Sequence, residues 1–306
     1  MMALTSDVFH EIGENKEWNE SFYFSFYDRG NDLCGFMRIG VKPNKKEKSV
    51  FCFLMMPDGS LIGNKEHVEM EEITTSAGGL TFEKIEDEKK WTVKFDGELP
   101  RMEKEVKVMV KVKMDLVFDG LNPMFDYRAC VSGEKEKAAA ATLASEHIEQ
   151  MVKATGTITV SEKEMVINAL GERDHSWGIR DWHAPRAWVW LTCQFSEGYG
   201  FNITKVWMDK MEIDAGFLYM DGENIPIVKV DTAIEWDADG SPSTLYMAMY
   251  DSEGDVFGVK GIIRRKAKMH FHSEDKKNPV VMWETLTRFK MDNETGNGIA
   301  EFLGRR

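Results

Sequence analysis

Basic residues are in short supply in this sequence. Lys and Arg number 39 against 52 Asp and Glu, a formal net charge of −13 over 306 residues. That balance excludes a fold-wide nucleic-acid footprint and leaves a polybasic membrane patch without support. Long hydrophobic runs are missing too. The longest aliphatic and aromatic stretch, Val50 to Met56, falls far short of the ~20 residues of a bilayer-spanning helix. No integral membrane segment is expected. Residues Met1 to His10 lack the basic start and apolar core of a signal peptide. Only four cysteines occur (Cys34, Cys52, Cys130 and Cys193), with no CxxC and no short-spaced framework. They read as buried, reduced thiols of a cytoplasmic protein. The N-x-S/T triplets at Asn19, Asn202 and Asn293 carry no meaning in that compartment.

Apolar types make up 42% of the chain, enough for a sizeable core despite 30% charged residues. A chain of this length buries roughly three quarters of its unfolded surface. At ~150 residues per domain it holds two domains or one large one. Most of it reads as strand. Short apolar or alternating runs are punctuated by Asp58-Gly59, Asp96-Gly97, Asp119-Gly120, Glu197-Gly198, Asp221-Gly222, Asp239-Gly240, Glu253-Gly254 and Thr295 to Gly298. Asp-Gly and Asn-Gly supply the positive φ of tight hairpins. Val106 to Met114 (VKVMVKVKM) alternates apolar and basic residues, the pattern of a half-buried strand. The alanine run and EKEK of Gly133 to Ala154 predict a helix over about Glu134 to Ala144, acting as a connector. Beyond it, Ile148, Val152, Ile158 and Val160 share one parity, as in a strand.

Four features recur at an offset of 164 residues: Trp18 and Trp182, Phe53-Leu54 and Phe217-Leu218, Leu80 and Thr244, Arg101 and Arg265. The expectation is a duplicated β-domain, residues 1–150 and 151–306, with the helix near the junction.

Gly171 to Trp182, GERDHSWGIRDW, packs five charged groups, a histidine and two tryptophans into twelve residues. Arg173-Asp174 and Arg180-Asp181 beside Trp177 and Trp182 are costly to bury unless paired, and the tryptophans are wasted if exposed. A polar network lining a cavity satisfies both constraints. Two readings fit. The ion pairs pin a loop, or at least one of Asp174, His175 and Asp181 meets a ligand. In either case an arginine of the motif is expected to pair with Glu172, Asp174 or Asp181, and Gly178 to bend the segment into a loop.

This motif, the strand AWVWLTCQF (Ala187 to Phe195), the closing GNGIAEFLGR (Gly296 to Arg305) and the opening WNESFYFSFYD (Trp18 to Asp28) resemble an uncharacterised family akin to the AttH-like and carotenoid 1,2-hydratase (hydroxyneurosporene synthase) superfamily. The resemblance spans nearly the whole chain. It implies an all-β protein of two lipocalin-like, calycin-type barrels with a cavity for an apolar ligand. Relatives of this architecture include isoprenoid hydratases and pericyclic cyclases, so activity is not uniform across them.

Hydrating or cyclising an alkene needs an acid in an apolar pocket and a group that stabilises a carbocation. A carboxylic acid kept protonated by burial supplies the first, and tryptophan faces supply the second. Asp174 and Asp181 are the candidate acids, with His175 as acid, base or donor. Arg173, Trp177, Arg180, Trp182, Trp188 and Trp190 are the candidate ligand-binding residues, with Trp207 a further member of an aromatic wall. The expected function is an enzyme acting on an isoprenoid or polyene-like molecule by acid-initiated hydration, cyclisation or isomerisation. The alternatives are a carrier of an apolar ligand and an interaction protein with filled grooves. Weaker signals are His147-x-Glu149-Gln150, which follows the helix, and His270-x-His272, half a metal site that with His175 and His183 makes four histidines. No spacing requires that set, and neither metal nor cofactor is expected. No G-x-S-x-G, Walker or complete dinucleotide motif is present.

Overall fold

The computed structural model describes residues 7–103, 106–130, 146–179, 185–271 and 280–305. Strands dominate: β1 Trp18–Asp28, β2 Leu33–Lys42, β3 Glu47–Met55, β4 Leu61–Glu69, β5 Ser76–Ala77, β6 Leu80–Glu86, β7 Lys90–Glu103, β8 Val106–Gly120, β9 Phe125–Asp126, β10 Glu146–Val160 and β11 Lys163–Ile179, followed by β12 Ala187–Ser196, β13 Tyr199–Trp207, β14 Glu212–Met220, β15 Glu223–Trp236, β16 Pro242–Asp251, β17 Val256–Phe271, β18 Val280–Met291 and β19 Glu294–Arg305. The helix expected over Glu134 to Ala144 lies outside the described residues. No described helix is long and apolar enough to cross a membrane.

The chain forms two compact units. The first takes Met1–Met124 and Glu146–Arg180, and the second takes Phe125–Ser145 and Asp181–Arg306. Residue 150, where the sequence reading divides the chain, lies within β10. In the first unit the hydrogen-bonded order is β4-β3-β2-β1-β11-β10-β8-β7-β6-β5. Leu61↔Met102 and Ile62↔Arg101 join β4 to β7 and bring the path back on itself. In the second unit β12 to β19 form a closed barrel in chain order. Closure leaves no strand edge to recruit another chain.

Both rings share one strand order, with β1 to β4, β7, β8, β10 and β11 of the first matching β12 to β19 of the second. Of the 164-residue anchors, Phe53-Leu54 and Phe217-Leu218 fall on matching third strands, β3 and β14. Leu80 with Thr244, and Arg101 with Arg265, fall on strands that do not match. The extra β5–β6 ribbon of the first unit breaks the constant offset.

Alternation sorts each strand into two faces. In the first unit Phe22, Phe24 and Phe26 of β1, Met37 and Ile39 of β2, Leu116 and Phe118 of β8, and Met165, Ile167 and Ala169 of β11 fill the interior. The β8 pattern holds from Val110 onward, but Val108 near the hairpin tip is 53% exposed because the strand runs past the core. In the second unit Val189, Leu191, Phe201, Ile203, Phe289 and Phe302 lead the core. Asp58-Gly59 and Asp221-Gly222 form the expected turns. Asp96-Gly97 and Thr295 to Gly298 do not; they lie inside β7 and β19. At Gly298 a Cβ would stand 1.9 Å from the Thr192 carbonyl oxygen, so that glycine permits close strand approach instead of a turn.

Candidate functional site

Segment 171–179 is strand, not loop. It pairs with β1 on one side and β10 on the other, with Tyr23↔Asp174 and Phe22↔His175 in register. Consecutive residues of a strand point to opposite faces. Asp174 and His175 are therefore separated by the sheet, and Arg173 cannot pair with either neighbour. Its partner is Asp7: Nη1 donates to Oδ1 at 2.7 Å and Nη2 to Oδ2 at 3.3 Å. Nε donates to Gln150 Oε1 at 2.6 Å. Burial pushes the Asp7 carboxyl up, but Arg173 and the Glu88 N–H outweigh it and hold the group below its usual range.

On the interior face, His175 lies beside Arg173 and Trp177 and above Phe22, at 4.1 Å between ring centroids. His175 Nε2 meets Glu20 Oε1 at 2.8 Å, and His10 Nδ1 meets the same oxygen at 2.7 Å. The His10 backbone N–H donates to Glu20 Oε2 at 3.0 Å. Trp177 stacks on His10 at 3.6 Å. Glu20 and His175 are almost wholly enclosed. Burial raises the Glu20 carboxyl, and bonds from His10 and His175 more than offset it, so the group is held ionised. Glu20 was detectable in the sequence: it shares parity with Phe22, Phe24 and Phe26, an acid in an apolar row.

The opposite face of the same sheet carries a second group. His147 Nε2 lies 2.9 Å from Glu149 Oε1 and 3.1 Å from Asp174 Oδ1. Burial lowers the imidazole pKa, but the two carboxylates outweigh it and raise it to about 10. A lateral row of five register pairs runs through it: Glu149, Asp174, Tyr23, Arg38, Phe51 and Lys65. Burial, helped by Arg38, brings the Lys65 amine down to about 8.

In the second unit, Trp188 and Trp190 lie on the barrel face away from the core, where Trp190↔Glu301 and Glu284↔Glu301 are in register. Glu284 is completely buried. Burial, the charge of Glu301 and a hydrogen bond with it raise the Glu284 pKa well above the carboxylate range. The Trp188 indole N–H donates to Glu301 Oε1. Tyr127 donates to Asn202 on the same face. Glu284 too had a sequence signal, as a lone acid in VVMWETLTRF.

Trp207 packs against the second unit's core, with Lys205 5.5 Å above its ring. The tryptophans therefore do not make one wall: Trp177 faces the first interior, Trp207 the second core, and Trp188 and Trp190 an outer face. Arg180, Asp181, Trp182 and His183 lie outside the described residues, as does His272; His270 is exposed. A cleft of about 750 Å³ opens by Arg186, Ala187 and Trp207 at the start of β12.

The family model of a domain of unknown function, DUF7064, matches residues 4–306. No functionally curated protein matches the sequence. Among solved structures, a protein assigned as AttH from Nitrosomonas europaea superposes with a TM-score of 0.61 at 13% identity, covering 95% of this chain and 94% of its own. CghA, crystallised with Sch210972, gives 0.59 at 11%, with 94% and 88% covered. Kievitone hydratase from Nectria haematococca gives 0.61 at 12%, with 93% and 88% covered. The chain thus has the AttH-like, lipocalin-like fold that the sequence resemblance implies.

Proposed function

Because this chain belongs to the DUF7064 family and shares its fold with a hydratase, we propose that it is an enzyme acting on an apolar small molecule by acid-initiated hydration, cyclisation or isomerisation. One observation carries the reading. Trp190, Glu301 and Glu284 stand side by side across β12, β19 and β18. A carboxylic acid kept neutral by burial is thus joined to a second carboxyl and faced by indoles. Such a pair holds one proton between two groups and titrates as a unit.

Glu284 is closed off, whereas Glu301 and Trp188 are part-exposed. Substrate therefore meets the pair at Glu301. In hydration the pair's proton passes to one alkene carbon, leaving the carbocation on its neighbour. The indole faces of Trp188 and Trp190 stabilise that charge. Water bonds to the cation and returns a proton to the carboxylate. In cyclisation an internal double bond replaces water, and a proton lost from the product restores the acid. Asp174, an acceptor for the His147 imidazolium, and His175, committed to Glu20, position structure in this scheme. A carrier needs only an apolar lining, and the buried acid pair is what favours an enzyme.

Native mass spectrometry of the purified protein identifies the co-purified lipid, and turnover of that compound is then followed in ¹⁸O-labelled water. General acid catalysis contributes about 10²- to 10⁴-fold. Glu284→Gln is expected to lower turnover by at least about a hundredfold while leaving ligand affinity within a few fold. Turnover equal to wild type would remove the pair from the reaction.

A further inference from the structure

We propose that His10, Glu20 and His175 form a binding site for a divalent transition metal of the zinc type inside the first unit. Two imidazole nitrogens and a carboxylate converge there, with all three donor atoms within 4.8 Å of one another. Two imidazoles with one carboxylate suit a borderline cation such as Zn²⁺, with a fourth position for water. The distances to Glu20 Oε1, 2.7 Å from His10 Nδ1 and 2.8 Å from His175 Nε2, are those of hydrogen bonds. Donors around a tetrahedral zinc stand about 3.3 Å apart at Zn–N and Zn–O lengths near 2.0–2.1 Å. A shift of roughly half an ångström therefore opens the cluster to an ion.

The surroundings hold the donors in place. Trp177 stacks flat on His10 and Phe22 lies against His175. The Asp7–Arg173 pair and the Glu88 N–H anchor the segment that carries His10. Two ring nitrogens from different segments of the chain already converge on one carboxylate oxygen, Glu20 Oε1. The three donors come from the N-terminal segment, β1 and β11, so an ion there ties that segment to the barrel. The other histidine–carboxylate group, His147 with Glu149 and Asp174, is not an equal candidate. Its single imidazole holds its proton up to about pH 10 and has no lone pair to offer at neutral pH.

Metal-stripped full-length protein is titrated with Zn²⁺ by calorimetry, and the zinc retained after gel filtration is counted by mass spectrometry. One ion per chain is expected. Co²⁺ in its place should give the visible absorption of a four- or five-coordinate nitrogen and oxygen site. Removing a mere outer-shell partner of a metal site weakens binding 10- to 100-fold. Glu20→Gln and His175→Gln should therefore each weaken Zn²⁺ binding by more than about tenfold and abolish the Co²⁺ bands. His10→Gln, at a part-exposed position, repeats the test if the buried variants do not fold. His147→Gln should bind as wild type does. Wild-type protein that retains no zinc, or ligand variants that bind as tightly as wild type, would overturn the site, as would Co²⁺ bands of an octahedral aquo ion alone.

Discussion

A single histidine shows how far this fold departs from the ordinary chemistry of its side chains. His147 sits between Glu149 and Asp174, and its imidazole stays protonated to about pH 10. The folded pKa lies above the unfolded one, so its contribution to stability is complete below about pH 6.5, the unfolded value. It is lost as pH rises through the folded value. Thermal melts between pH 6 and 10 should show a falling Tm across that window. His147→Gln should remove this slope. It should also destabilise the protein by about 3–5 kcal/mol at neutral pH, because it strands carboxylates in a closed place. A wild-type Tm that is flat over the window would show that the imidazolium is not held by its neighbours. The cysteines behave in the opposite sense. Burial alone pushes the Cys52 thiol up to about 12, and Cys193 is raised in the same way, so neither is a ready nucleophile.

At the scale of the strand, β11 decides what each residue of GERDHSWGI can touch. Arg173, His175 and Trp177 go inward with Met165, Ile167 and Ala169; Glu172, Asp174 and Ser176 go outward. The inward arginine is matched by Asp7, with both groups buried. Asp7→Asn should lower stability by about 3–5 kcal/mol at pH 7, because it leaves the guanidinium enclosed without a counter-charge. Its folded pKa is depressed. The wild-type advantage is therefore present above the unfolded value near 3.8 and shrinks as pH falls below it. Chemical denaturation of both proteins at pH 7 and at pH 3 tests this, with the two curves drawing together in acid. Hydrogen exchange should also rise in residues 8–17 of the variant. Unchanged exchange there would mean that the pair does not hold the segment.

The density of charge and tryptophan in this stretch was legible in the sequence, and so was its kinship with the AttH-like fold. Its partners were not. Asp7 is 166 residues away and Glu20 is 155 residues from His175; no local spacing encodes a contact between segments so distant in the chain, even where they are neighbouring strands. Reading the stretch as a loop overrode the period of two that its own residues obey. The acid pair in the second unit escaped for a similar reason. Glu284 and Glu301 lie in separate strands, and only strand register brings them together.

At the scale of the whole molecule, chain order and compact units do not divide at the same residue. The first unit needs β10 and β11, which follow the 125–145 segment assigned to the second. β11 lies between β1 and β10 and pairs with each along its length, from Trp18↔Ile179 to Tyr27↔Leu170 on one side and from Glu146↔Trp177 to Val160↔Lys163 on the other. A fragment of residues 1–150 loses all of β11 and most of β10. It leaves the buried β1, with Phe22, Phe24 and Phe26, as an open edge, a template for aggregation. A fragment of residues 1–180 keeps every strand of the first ring and its interior. The shorter fragment is expected to aggregate, or to give a collapsed amide spectrum and no cooperative melt. The longer one should give dispersed amide resonances and a single unfolding transition. A well-dispersed spectrum from residues 1–150 would show that β11 is dispensable to the first unit, and that the paired register around it is not what holds this ring together.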